Sequence, residues 1–140
     1  VCIRIHPITG GASVDHFAAK SSMWRRAYQW SNYRLCCSRL NSKKSEFSDV
    51  HDPFLVVQNS FQLEFLTFQV RPDAALDPVE QAKVEQTIRR LGLNDFCRER
   101  EAHALDYWDG DISLKVLRRE SPFVAYEMFR QNRLKPGDAW

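Results

Sequence analysis

Residues 14–44 read VDHFAAKSSMWRRAYQWSNYRLCCSRLNSKK, and most of what this sequence says about fold and chemistry is in them. An Asp-His pair, Asp15-His16, comes near the start. Asn32 lies sixteen residues beyond the histidine, in Trp30-Ser31-Asn32, and Asn41 nine residues further, in Asn41-Ser42-Lys43-Lys44. Residues 14–17 read as a short strand ending near His16, and residues 20–26 as a polar loop. Residues 33–36 read as the returning strand. Ser38 is placed to cap a short helix through Lys44 that carries Asn41 one turn in. Strand, loop, strand and helix would set His16 and Asn41 facing each other.

These residue types suit metal-assisted cleavage of a phosphodiester. That reaction needs a base for water, hard oxygen ligands for a divalent cation and cationic groups for the phosphates. A neutral imidazole is suited to accept a proton near pH 7, which makes His16 the candidate base. Asp15 offers a carboxylate, and Asn41 a hard, neutral amide oxygen, to Mg²⁺ or a softer ion. Asn32 reads as an orienting residue whose amide bonds backbone across the loop and holds His16. A lone strand histidine is more often part of a core; Asp15, Asn32 and Asn41 around it weigh against that. Lys20, Arg25, Arg26, Arg34, Arg39, Lys43 and Lys44 follow Asp15 with no acid before Glu46, although the whole chain carries only +2. A local basic patch interleaved with aromatics is expected of a surface that meets phosphates.

The 140 residues make one domain, or a small domain with a helical extension, large enough to bury a core. Four cysteines, two of them adjacent, form no secreted-type framework, so a reducing cytoplasm is expected. No apolar run approaches the ~18 residues that span a bilayer, and no stretch reads as a signal peptide. The chain opens on Val1 rather than Met, as with an alternative start or with further sequence upstream. Residues 1–8 read as a short strand ended by His6-Pro7. After Asp52-Pro53, residues 54–57 and 61–70 read as a hairpin turning at Gln58-Asn59-Ser60. Asp77-Pro78-Val79-Glu80 starts a helix with Val84, Ile88 and Leu91 on one stripe, closed by Gly92. Asn94 is expected to cap a second helix to about Trp108, with Phe96, Ala102, Leu105 and Trp108 recurring at helical spacing as core or partner interface, and residues 98–101 as an exposed charged face or a docking surface. Ser121-Pro122 starts a third, carrying Phe123, Tyr126 and Phe129.

The segment resembles the HNH (ββα-metal) endonuclease motif in its H-N-N form. VDHF, YQWSNYRL and CSRLNSKK are similar to the HNH subunits of Septu-type (PtuB-like) and retron-linked antiphage defence systems. The likeness is strongest over residues 14–54 and looser to about residue 134. It implies Asp15 and Asn41 as ligands of a divalent metal, Mg²⁺ or Mn²⁺, His16 as general base and Asn32 as orienting residue. Lys20, Arg39, Lys43 and Lys44 would meet nucleic-acid phosphates. His51, close in sequence to the short helix, reads equally as a further ligand or phosphate contact and as a loop histidine before a strand. It also implies an ABC/SMC-type ATPase partner (PtuA-like) that holds the nuclease in check. Aromatics at helical spacing are good interface anchors, which makes Tyr126, Phe129 and the tail to Trp140 the candidate docking surface. Many relatives carry two Cys-x-x-Cys knuckles for a structural zinc. Here they read Cys2-Ile3-Arg4-Ile5 and Cys37-Ser38-Arg39-Leu40. Cys2, Cys36, Cys37 and His6 could supply four ligands, but a decayed site packed by Leu40 and Ile5 is the better reading.

The expectation is therefore an α+β protein. A ββα-metal HNH core would occupy residues 1–54, and a hairpin with a helical partner-docking extension residues 55–140. Its substrate would be DNA or a structured RNA such as tRNA. Two other functions compete: a stand-alone HNH nuclease of a mobile element or restriction system, and a catalytically weakened adaptor.

Overall fold

The computed structural model describes residues 10–140. The expected strand at residues 1–8, Cys2 and His6 among them, lies outside the described residues. The chain is α+β, with two small two-stranded sheets and five α-helices among the described residues. No helix of the described residues is long and apolar enough to cross a membrane. The described residues form two compact units. One holds residues 10–60 together with Pro72–Gly92; the other holds Phe61–Arg71 and Leu93–Trp140. This division does not coincide with the expected break after residue 54.

In the first unit, β1 (Ala12–His16) pairs antiparallel with β2 (Tyr33–Cys37), and β2 runs directly into α1 (Ser38–Lys44). Val14 stands opposite Leu35, and Asp15 opposite Arg34. The usual polarity of a half-buried sheet is inverted here: Asp15 and Arg34 are buried, whereas Val14 and Leu35 are 56% and 73% exposed. Charge is tolerated inside because each buried ion has a counter-ion. Lys44, from the last turn of α1, lies 3.1 Å from Asp15 Oδ1. Arg34 grips Asp52 with two parallel bonds, Nε to Oδ1 at 2.7 Å and Nη2 to Oδ2 at 2.5 Å. Its guanidinium also stacks 4.2 Å from the centre of the Phe54 ring.

Helix α2 (Pro78–Leu91) packs on α1 and follows its sequence signals. Asp77 Oδ1 accepts from the Val79 and Glu80 amides, Pro78 occupies the first turn, and Gly92 closes the helix at φ +57°. Val84, Thr87 and Ile88 form its buried face. Thr87 belongs there because its hydroxyl donates to Lys83 O and accepts the His51 amide.

In the second unit the expected hairpin is displaced. Residues 54–57 form no strand. The strands are β3 (Phe61–Leu63) and β4 (Val70–Pro72), and the chain turns between them, where Phe68 takes φ +55° and the Glu64 amide donates to Gln69 O. The aromatic run that suggested a long strand is a turn because Phe65 and Phe68 pack against Trp108. Helix α3 spans Cys97–Asp109 and is preceded by a 3-10 turn at Leu93–Phe96. Asn94 does not cap it; its amide pairs instead with both the N–H and the C=O of Val70. The helix is also phased differently from the expectation. Arg100, Ala104 and Tyr107 are inside, while Ala102 and Leu105 are exposed. Arg100 is no exposed charge: it is buried, and its guanidinium donates to the carbonyls of Phe68 and Leu93. Helix α4 (Leu114–Glu120), capped by Ser113, has no counterpart in the expectation, and α5 (Pro122–Arg130) begins where Ser121-Pro122 placed it.

The hydrogen bond from Arg34 holds the Asp52 carboxyl below its ordinary range, against a smaller upward push from burial. A carboxyl depressed in the folded state contributes stability above its unfolded value, ~3.9, and loses it as pH falls through the folded value. Asp52→Asn should therefore cost about 3 kcal/mol at pH 7, because Arg34 is left without a counter-ion. It should also flatten the decline in stability below about pH 4. Urea unfolding at pH 7 and at pH 3 measures both.

Candidate functional site

A cleft of about 350 Å³ opens where β1 ends and α1 passes over it. Asp15, His16, Lys20 and Asn41 line it, together with Val14, Ala19, Ser21, Ser45 and Glu46. Three of the four residues expected to do chemistry thus meet at one surface, and the fourth, Asn32, lies beneath it.

Asn32 is buried at the foot of β2 and closes the long β1–β2 loop. Its Oδ1 accepts the Ala18 amide at 2.7 Å, and its Nδ2 donates to Ala18 O at 3.1 Å and Arg26 O at 3.2 Å. Its backbone carbonyl accepts Phe17 N–H. Both amide protons and one lone pair of the side chain are therefore used on the backbone of Ala18 and Arg26, which closes the loop that follows His16.

His16 Nε2 lies 3.0 Å from Ala27 O. A carbonyl can only accept, so Nε2 carries the proton and, in the neutral ring, Nδ1 holds the lone pair. Tyr33 OH donates to the same carbonyl at 2.8 Å, and the Tyr33 ring meets the imidazole edge-on at 5.0 Å. Imidazole tautomer and ring plane are both set by this contact pair.

Asn41 Nδ2 donates to Val14 O at 3.4 Å and Ser13 Oγ at 3.3 Å. Because Val14 O accepts only, the amide oxygen of Asn41 is left as the donor atom for a ligand. Asp15 and Asn41 together supply hard oxygen donors of the kind that suit a hydrated Mg²⁺ or Mn²⁺, which keeps several waters and takes one or two carboxylates. The same pair does not make a closed zinc site. Among the described residues no three His, Cys, Asp or Glu side chains converge as a metal-holding group. Cys36 and Cys37 are successive residues of β2, so their side chains point to opposite faces. Burial also pushes the Cys36 thiol up.

Lys44 departs from its expected place at the surface. It is buried, paired with Asp15 and donating to His16 O at 3.0 Å, so it faces the site from within and meets no phosphate from that position. The physical reason is its place in the last turn of α1, directly over the Asp15 carboxylate. Lys20 lines the cleft, Arg39 is exposed on α1 and Lys43 is half-buried. His51 is not in the cleft wall. Its ring lies 3.1 Å from Glu80 Oε1 on α2, out of line for a hydrogen bond, and its amide is taken by Thr87. In the second unit the expected docking aromatics are partly covered: Trp140 stacks on Phe129 at 5.1 Å and meets Tyr126 edge-on.

The sequence reading passed over Tyr33, Glu46 and the Ala27 carbonyl. Glu46 had a signal, being the first acid after Asp15 and just past the helix end. Ala27 had none, because a backbone carbonyl is anonymous in sequence. Compared with known proteins, the chain matches no family model, no curated protein and no solved structure.

Removing Lys44 leaves the buried Asp15 carboxylate without its counter-ion. Lys44→Ala should lower stability by about 3–5 kcal/mol. If Asp15 also ligates a divalent cation, millimolar Mn²⁺ should raise the thermal midpoint of Lys44→Ala more than that of the parent chain. Differential scanning fluorimetry with and without Mn²⁺ reads this directly.

Proposed function

We propose that this chain is a metal-dependent phosphodiester hydrolase of the HNH type, built on a ββα-metal core. One observation carries the reading: Asp15, His16 and Asn41 line a single cleft while the Ala27 carbonyl fixes the imidazole with its lone pair on Nδ1. Asp15 and Asn41 would hold the cation, which when bound supplies Lewis-acid stabilisation of charge on the phosphoryl oxygens. His16 Nδ1 takes the proton from the attacking water, and the imidazolium so formed is stabilised by the Nε2–H bond to Ala27 O. Lys20, at the cleft mouth, would neutralise a phosphate of the bound strand. The wider role, as effector of a bacterial antiphage defence complex with an ABC/SMC-type ATPase, rests on the sequence resemblance.

A second reading has its own observation. Lys44 already neutralises the carboxylate that would hold the cation, as expected if the chain kept the fold as an adaptor between nucleic acid and a partner and lost the chemistry. The two separate cleanly. In Mg²⁺ or Mn²⁺, alone and with an ATPase partner, the chain should cut at least one of duplex DNA, single-stranded DNA and tRNA. His16→Ala should slow that cleavage by about 10²- to 10⁴-fold, the usual worth of a general base. Cleavage by His16→Ala at the parent rate would remove His16 from the mechanism. No cleavage of any substrate in either setting would leave the adaptor.

A further inference from the structure

The β1–β2 loop presents three aromatic rings to solvent within seven residues. Trp24, Tyr28 and Trp30 are 71%, 92% and 86% exposed. Large rings are normally spent on a core, and leaving three together outside forgoes that burial. The loop is nonetheless held in place. It makes 3-10 turns at Trp24–Arg26 and Trp30–Asn32, and the buried Asn32 amide ties its two limbs through Ala18 and Arg26. The rings are therefore displayed by a braced scaffold.

Two further features say what they are displayed to. The first is charge: Lys20, Arg25 and Arg26 are exposed beside the rings, Arg25 lies 5.5 Å over the Trp24 ring, and no acid occurs between Asp15 and Glu46. The second is continuity with the cleft. Trp30 meets Tyr33 edge-on at 5.5 Å, Tyr33 meets His16 at 5.0 Å, and Lys20 and Ser21 form part of the cleft wall. Rings for base faces and cations for phosphates, in one band leading to a general base, fit a nucleic-acid strand. They fit an unpaired one, since the faces of bases inside a duplex are covered by their neighbours and only unstacked bases offer a π-face.

We propose that residues 20–30 are a stacking platform for unpaired nucleotides, which directs the hydrolase toward single-stranded or looped nucleic acid. This rests on the hydrolase reading for its consequence, though binding can be read apart from cleavage. Trp, Tyr and Arg also anchor protein interfaces, but the unbroken positive charge and the continuity with the His16 cleft favour a polyanion.

The test uses the full chain carrying His16→Ala, so that nothing is cut. Fluorescence anisotropy measures its affinity for labelled single-stranded DNA and RNA oligonucleotides and for the same sequences annealed to their complements. Single strands should bind more tightly than duplexes. Trp24→Ala and Tyr28→Ala should each weaken single-strand binding by about 5- to 150-fold, the worth of one stacked base, with the unfolding midpoint unmoved. Arg25→Ala should lower the salt slope for single strands by about 0.7. The DNA and RNA arms identify the sugar preferred. Equal affinity for duplex and single strand, or ring variants that bind single strands normally and lose a protein partner instead, would overturn the platform. Ring-dependent binding, with the chain that keeps His16 cleaving no substrate, would keep the platform and sink the hydrolase. Cleavage of single strands by the chain that keeps His16, at the same rate with and without the ring substitutions, would sink the platform alone.

Discussion

Four ions of alternating sign, Lys44, Asp15, Arg34 and Asp52, run through the inside of the first unit, and its other features depend on them. A sheet of only two strands and a helix of seven residues cannot bury enough apolar surface to define their own geometry. Ion pairs and backbone bonds do it instead: Lys44 ties the end of α1 to β1, and Arg34 ties β2 to the segment leading to Phe54. The arrangement has a chemical consequence. Under the proposed function the carboxylate that stabilises the fold through Lys44 would also hold the cation, so folding and ligand binding would compete for a single group. Such a dual role is a common source of strain between stability and activity.

The second unit solves a related problem. Strands of three residues leave most of their backbone groups unpaired, and helix side chains complete them. Glu127 accepts the Leu63 amide, Gln131 donates to Leu63 O, and the Asn94 amide closes on both sides of Val70. Arg100 covers two more carbonyls. Buried polar side chains are inserted because orphaned backbone groups cost more than the side chains do. Glu127 is itself neutralised by Arg130 at 2.8 Å.

How much could be read from the sequence follows from how local each determinant is. Helix α2 was legible because Asp77, Pro78 and Gly92 act on their own backbone. The order of β1, β2 and α1 was legible because loop and alternation follow one another within a few tens of residues; the cap was not, since Ser38 is the first residue of α1 and Cys37 precedes it with no side-chain cap. The hairpin was misplaced because Phe65 and Phe68 have strand propensity, and Trp108, forty residues on, takes them into a turn. Arg100 was misread for the same reason: its partners, Phe68 and Leu93, belong to other segments, so nothing near it marks the guanidinium as buried. Seven-residue α4 is too short for periodicity to register.

By itself the sequence determined the identities and spacing of Asp15, His16, Asn32 and Asn41, the basic run around them and the signals that start and stop α2. These are properties of residue type and of near neighbours. Only the tertiary structure decided that Lys44 is a buried counter-ion, that Ala27 O selects the His16 tautomer and that His51 stands away from the cleft. Each of those depends on groups brought together from distant positions, where burial and hydrogen-bond direction decide what a side chain does.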